Sequence, residues 1–78
     1  MLETMLDGLK VGEAAVIAAV AGEVGFRRRL MEMGLVPGTV VVCTGRAPLG
    51  DPLRFRVRDT SLSLRAADAA LISLTAGE

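Results

Sequence analysis

Leu53-Arg54-Phe55-Arg56-Val57-Arg58 alternates apolar and cationic residues without a break. That period of two predicts a strand with Leu53, Phe55 and Val57 toward a core and three arginines in a row outside. Asp59-Thr60 interrupts the pattern and Ser61-Leu62-Ser63-Leu64 resumes it, so the two-residue gap predicts a tight hairpin. A different period governs residues 24 to 33. Phe26, Leu30 and Met33 recur at the four-then-three spacing of one helix face, while Arg27, Arg28, Arg29 and Glu32 occupy the rest of the circumference. Gly34 supplies the left-handed residue that ends many helices, with Leu35 placed to fold back onto Leu30. Val36-Pro37-Gly38 then reads as a turn of type II, with Pro37 pre-setting φ and Gly38 accepting a positive one. Thr39 to Thr44, rich in Val, follows as a strand.

The remaining segments are less strongly patterned. Residues 1–10 give no regular period; Leu6, Leu9 and Val11 serve as anchors of a lead-in turn, punctuated by Gly8 and Gly12. Glu13 to Ala21 is apolar nearly throughout. Its Ala content favours helix, but its length, its bounding glycines and the central Val16-Ile17 favour a buried strand, which is the assignment adopted. Arg46 to Pro52 holds two prolines and a glycine and is assigned as a loop. Arg65 to Ala70 fits one helical turn, and Leu71-Ile72-Ser73-Leu74 a closing strand.

Five short strands with one short helix between the first and second predict a mainly β fold, a small bent antiparallel sheet closing into a barrel. An open sheet of this size would leave two unpaired edges and too little covered apolar face. Closure, with Phe26, Leu30 and Met33 as a cap, meets both needs. The 78 residues form one domain, 1–78, because a chain this short buries only about 60 % of the surface exposed on unfolding. Phe26 and Phe55 are the only aromatic residues, which leaves the core to aliphatic side chains, Ala and Met.

Acidic and basic residues balance at nine each, which argues against retention on nucleic acid by overall charge. Their distribution is uneven. Residues 27 to 65 carry eight arginines against Glu32, Asp51 and Asp59, so an anionic partner would meet the middle of the chain. A single cysteine excludes an intramolecular disulfide and fits a reducing, cytoplasmic setting. The longest apolar run, Ala14 to Ala21, is far short of the roughly 20 residues of a spanning helix, and no direct membrane insertion is expected.

The order of these signals resembles the ferrous iron transport protein A (FeoA) family of small cytosolic SH3-like barrels. The resemblance covers nearly the whole chain. It rests on Leu9 with Gly12, the run Arg29 to Thr39, the run Ala47 to Pro52, and Leu62-Ser63-Leu64-Arg65 with Ala69 and Ile72. It implies an accessory protein of bacterial ferrous iron uptake acting on FeoB, a membrane permease with a cytosolic GTP-binding domain. The same barrel closes iron-dependent repressors of the diphtheria-toxin-repressor type, so an SH3-like regulatory domain of such a repressor is one alternative. Only a dozen residues precede the first strand here, against a DNA-binding region in those proteins.

The residue inventory bears on chemistry. The chain has no histidine, and Fe(II) sites draw on imidazole and carboxylate, or on several thiolates. Cys43 lies inside a strand, where packing is its ordinary role, and Met31 and Met33 fall on or beside the apolar stripe of the helix. No metal site and no cofactor are therefore expected. Without His or Tyr, and with Lys10 the only lysine, no general acid or base stands out, and no Walker A ending follows Gly22 and Gly25. The chain reads as not an enzyme, with no catalytic residue. A nucleic-acid-binding small barrel is a second alternative, carried by Arg27 to Arg29 and the Arg54, Arg56, Arg58 row. The aromatic residues that stack bases are lacking, and nucleic acid is not expected as a partner. A regulatory module that binds and modulates FeoB by protein–protein contacts is the reading adopted. Its partner-binding residues are Arg28 and Met31 on the helix, Pro48, Leu49 and Asp51 in the loop, and Arg54 and Arg56 in the row. Oligomeric state is left open.

Overall fold

The computed structural model describes residues 4–75. Six strands, β1 (Thr4–Met5), β2 (Ala14–Val20), β3 (Val40–Arg46), β4 (Leu53–Val57), β5 (Thr60–Leu64) and β6 (Ile72–Thr75), make one sheet. All neighbours are antiparallel, in the order β1-β6-β2-β3-β4-β5. Helix α1 (Val24–Glu32) joins β2 to β3, and a short helix α2 (Ala66–Ala69) joins β5 to β6. A 3-10 turn at Leu6–Gly8 follows β1. The sequence reading of five strands omitted β1, so α1 lies between the second and third strands rather than the first and second. Two residues in an unpatterned segment carry no period to detect.

The core collects the inward positions that alternation predicts. Leu53, Phe55 and Val57 of β4 are buried, facing Val41 and Cys43 of β3, with Ile72 and Leu74 of β6 and Ile17 of β2 completing the layer. The β2 segment lacked alternation for a physical reason. Its register against β6 slips between Ile17 and Ala19, and this bulge shifts the inward phase from Ala15 and Ile17 to Val20. A second slip between Cys43 and Gly45 places Arg46 opposite Leu53, on the same side of the sheet. Arg46 therefore ends β3 instead of opening the loop. Its Nη2 donates to the carbonyls of Asp7 at 3.3 Å and Leu9 at 3.1 Å, which ties the 3-10 segment to the barrel. Leu6 and Leu9 are buried as anchors, whereas Val11 is 57 % exposed and holds nothing.

Helix α1 buries Phe26 and Leu30, one turn apart on a single face. Its end follows the predicted chemistry. The Gly34 amide donates to the Met31 carbonyl at 3.0 Å and that of Leu35 to Leu30 at 2.9 Å, the paired bonds of a Schellman motif, with Gly34 at φ 98°. The Thr39 amide then closes the turn onto the Val36 carbonyl at 3.1 Å. Met33 does not join the cap as expected: it is the C-terminal cap residue and 38 % exposed. The helix ends one residue before it, and Leu35, fully buried, takes that place in the core. The hairpin is also one residue earlier than read, with Arg58-Asp59 as the turn and Val57 paired to Thr60.

Candidate partner-binding surface

Helix α1 carries a second stripe. Val24, Arg27, Arg28 and Met31 recur at i, i+3, i+4 and i+7, the spacing of one helical face, and this face is turned from Phe26 and Leu30. Val24 is 59 % exposed and Met31 53 %. Together with Ala19 and Val20 at the end of β2, and with Pro37 of the turn, these four residues line a groove of about 570 Å³. Its floor is apolar and two guanidinium groups stand at it. The backbone beneath these side chains is already ordered in a helix and a strand, so covering the apolar floor requires no loop ordering, which favours a macromolecular contact. The sequence reading named Arg28 and Met31 from this groove and omitted Val24. The signal was present in the Val24 to Met31 spacing, but only burial of the opposite face shows that this stripe is left open.

The other predicted residues lie elsewhere. Pro48 and Leu49 sit on the loop between β3 and β4, Leu49 at 96 % exposure. The loop is folded by its own backbone: the Ala47 amide donates to the Pro52 carbonyl at 3.0 Å, and the Gly50 amide to Ala47 at 2.7 Å. Asp51 has a structural partner, since its Oδ1 accepts the Ala66 amide at 2.9 Å. This carboxylate satisfies a free N–H at the start of α2 that no side chain of the adjoining Arg65 caps.

Arg54 and Arg56 are exposed on β4. Arg56 is paired with Val42 on one side and Ser61 on the other, Arg54 with Gly45 and Ser63. Arg56 and Arg58 also border a smaller groove of about 470 Å³ with Val40. The seven residues thus fall into three regions. The Pro37 turn and the Leu49 loop lie at opposite ends of β3, seven residues long, which separates them by roughly 20 Å. Arg28 with Met31 and Pro48 with Leu49 do not share one contact surface of small size.

Among the described residues, no group of three or more His, Cys, Asp or Glu comes together to hold a metal ion. Cys43 is fully buried and free. Among the described residues, no helix is long and apolar enough to cross a membrane.

Comparison with known proteins places this geometry in a family. A model of the FeoA domain matches residues 4–76. A Porphyromonas gingivalis Fe(2+) transport protein A/Fe(2+) transporter FeoB fusion protein is 44 % identical over 69 residues, covering 88 % of this chain. The chain spans only 8 % of that relative's length. The solution structure of FeoA from Chlorobium tepidum superposes with a TM-score of 0.86 at 38 % identity, over 91 % of this chain and 68 % of that one. The crystal structure of Stenotrophomonas maltophilia FeoA complexed with zinc, described as a procaryotic SH3 domain protein, gives 0.81 at 29 % identity, over 92 % and 89 %. With the family match running along almost the whole chain and the fold superposing on solved FeoA proteins, this chain belongs to the FeoA family of ferrous iron transport, with its SH3-like fold.

Proposed function

We propose that this chain is a cytoplasmic, non-enzymatic accessory of bacterial ferrous iron uptake that docks on the GTP-binding portion of FeoB and modulates the permease through protein–protein contacts. One observation carries the reading: a relative 44 % identical to this chain joins the FeoA and FeoB units in a single polypeptide. Two modules on one chain meet at an effective concentration that reaches the millimolar range for short linkers, which favours a contact too weak to persist between separate molecules.

The groove on α1 is the contact surface this reading assigns. Val24 and Met31 provide apolar area, and Arg27 and Arg28 select an acidic partner surface. Both phenylalanines are buried, so the stacking platform that a single-stranded nucleic-acid binder uses is missing from the surface.

The test is a titration of the purified chain against FeoB and against its isolated GTP-binding domain, at salt of about 0.15 M or below, where charge pairing is least screened. Saturable binding to either is the expected result. Failure to bind both would overturn the proposal.

A further inference from the structure

We propose that the free edge of β5 accepts an extended segment of a partner protein, one that alternates acidic and apolar residues, as a seventh strand of the sheet. This goes beyond the FeoB reading and does not rest on it. In the strand order β1 and β5 are the two edges, and among the described residues no ladder joins them, so the bending of the sheet does not pair its edges as closure was expected to do. Among the described residues β1 offers only Thr4 and Met5, a stretch too short to template pairing. β5 is five residues long, Thr60 to Leu64, and contains no charge, no proline and no register slip against β4. None of the usual protections of an exposed edge is present in it.

The register says which backbone groups are available. Val57 and Thr60 pair across a two-residue turn, so the hydrogen-bonded pairs of this antiparallel ladder are Val57 with Thr60, Phe55 with Leu62 and Leu53 with Leu64. Ser61 and Ser63 occupy the alternate positions and aim their N–H and C=O groups away from β4. Both residues are exposed, and among the described residues no strand pairs with β5 on that side. An incoming strand gains two donors and two acceptors already held in extended geometry.

The side chains select its composition. Arg56 lies directly opposite Ser61, and Arg54 opposite Ser63. An added strand would lie two strand spacings from the arginine row, about 10 Å, with only serine side chains between them. Arginine and glutamate side chains reach toward each other across that gap above the sheet. On the other side of the sheet Leu62 is half-buried at the rim of the core, and apolar residues at the alternate positions of the new strand would cover it. A second copy of this chain fits less well. Pairing β5 with itself would set two arginine rows on one face of a continuous sheet with only serine side chains between them and no carboxylate to meet them.

The probe is a blocked eight-residue peptide alternating Val and Glu, titrated into the full chain, with its Val and Lys counterpart as control. The expected result is saturable binding of the Glu peptide, at least tenfold tighter than the Lys peptide. The Ser61 and Ser63 amides should exchange rapidly in the free protein and slow at least tenfold when the peptide is bound. Arg54→Glu combined with Arg56→Glu should reverse the preference between peptides. Ser63→Pro removes only an outward N–H and should weaken binding at least tenfold while the protein still melts cooperatively. Equal binding of both peptides, no added protection at Ser61 and Ser63, or protection of these amides through dimerisation without peptide would each overturn the proposal. Because the charge reversal and the exchange measurement do not depend on the proline variant, its failure to fold would leave both tests in force.

Discussion

The Leu35 amide donates to the Leu30 carbonyl at 2.9 Å, and both side chains are buried in the same core cluster. This one relationship stops helix α1, turns the chain and returns it to the barrel. It depends on Gly34, whose φ of 98° is left-handed and poorly accessible to a β-branched residue.

Gly34→Val is therefore expected to destabilise the protein by more than about 1 kcal/mol. The added Cβ would stand 3.4 Å from Val57 Cγ1, an ordinary contact, so the cost is set chiefly by the backbone. Urea unfolding with an unchanged m-value checks this, and an unchanged midpoint would show that the helix stop does not rest on Gly34.

Gly22 offers a side chain neither a compatible backbone nor room. Its φ is 108°, and a Cβ would lie 2.9 Å from Phe26 Cδ2 and 3.4 Å from Leu71 Cδ1. Phe26 packs in the core and cannot retreat freely. Gly22→Ala is expected to cost about 1–3 kcal/mol, read as a lowered thermal midpoint, with loss of near-ultraviolet or NMR signatures of Phe26 packing.

How much of this was legible in the sequence depends on how local the cause is. Leu53 to Val57 alternates because both faces of β4 are fixed by one pleat, and the stop at Gly34 is written in neighbouring residues. Inward Val20 follows from a bulge that only pairing with β6 creates, and no count along β2 would reveal it. Arg46 read as loop because Pro48 and Pro52 dominate its neighbourhood; its hydrogen bonds span 37 and 39 residues of sequence. The candidate surface behaves likewise. Met31 and Arg28 could be picked out by type, but Val24 becomes informative only once Phe26 and Leu30 are seen to take the other side of α1.

Arg58 is the one non-glycine residue with positive φ among those described, at 57°. It holds the first central position of the β4–β5 hairpin, where turns of both types I′ and II′ require that sign. Arg58→Gly should relieve a strain of about 1 kcal/mol and lose part of it to unfolded-chain entropy, for a net gain of roughly 0.5 kcal/mol. A lowered chemical-denaturation midpoint would contradict the turn geometry.

Asp51 links the β3–β4 loop to α2 through its bond to the Ala66 amide. Asp51→Ala is expected to cost about 1 kcal/mol, the usual worth of a helix cap, and to speed amide exchange at Ala66. If stability and exchange are both unchanged, the carboxylate is free for a partner instead.

The proposed contact through the groove of α1 makes Val24 and Met31 the decisive positions. The most direct measurement is the affinity for FeoB of a Val24→Asp/Met31→Glu variant beside the unaltered chain. Both positions are more than half exposed, so melting should stay within a few degrees while binding falls at least tenfold, about 1.4 kcal/mol. Unaltered affinity in a normally folded variant would contradict it.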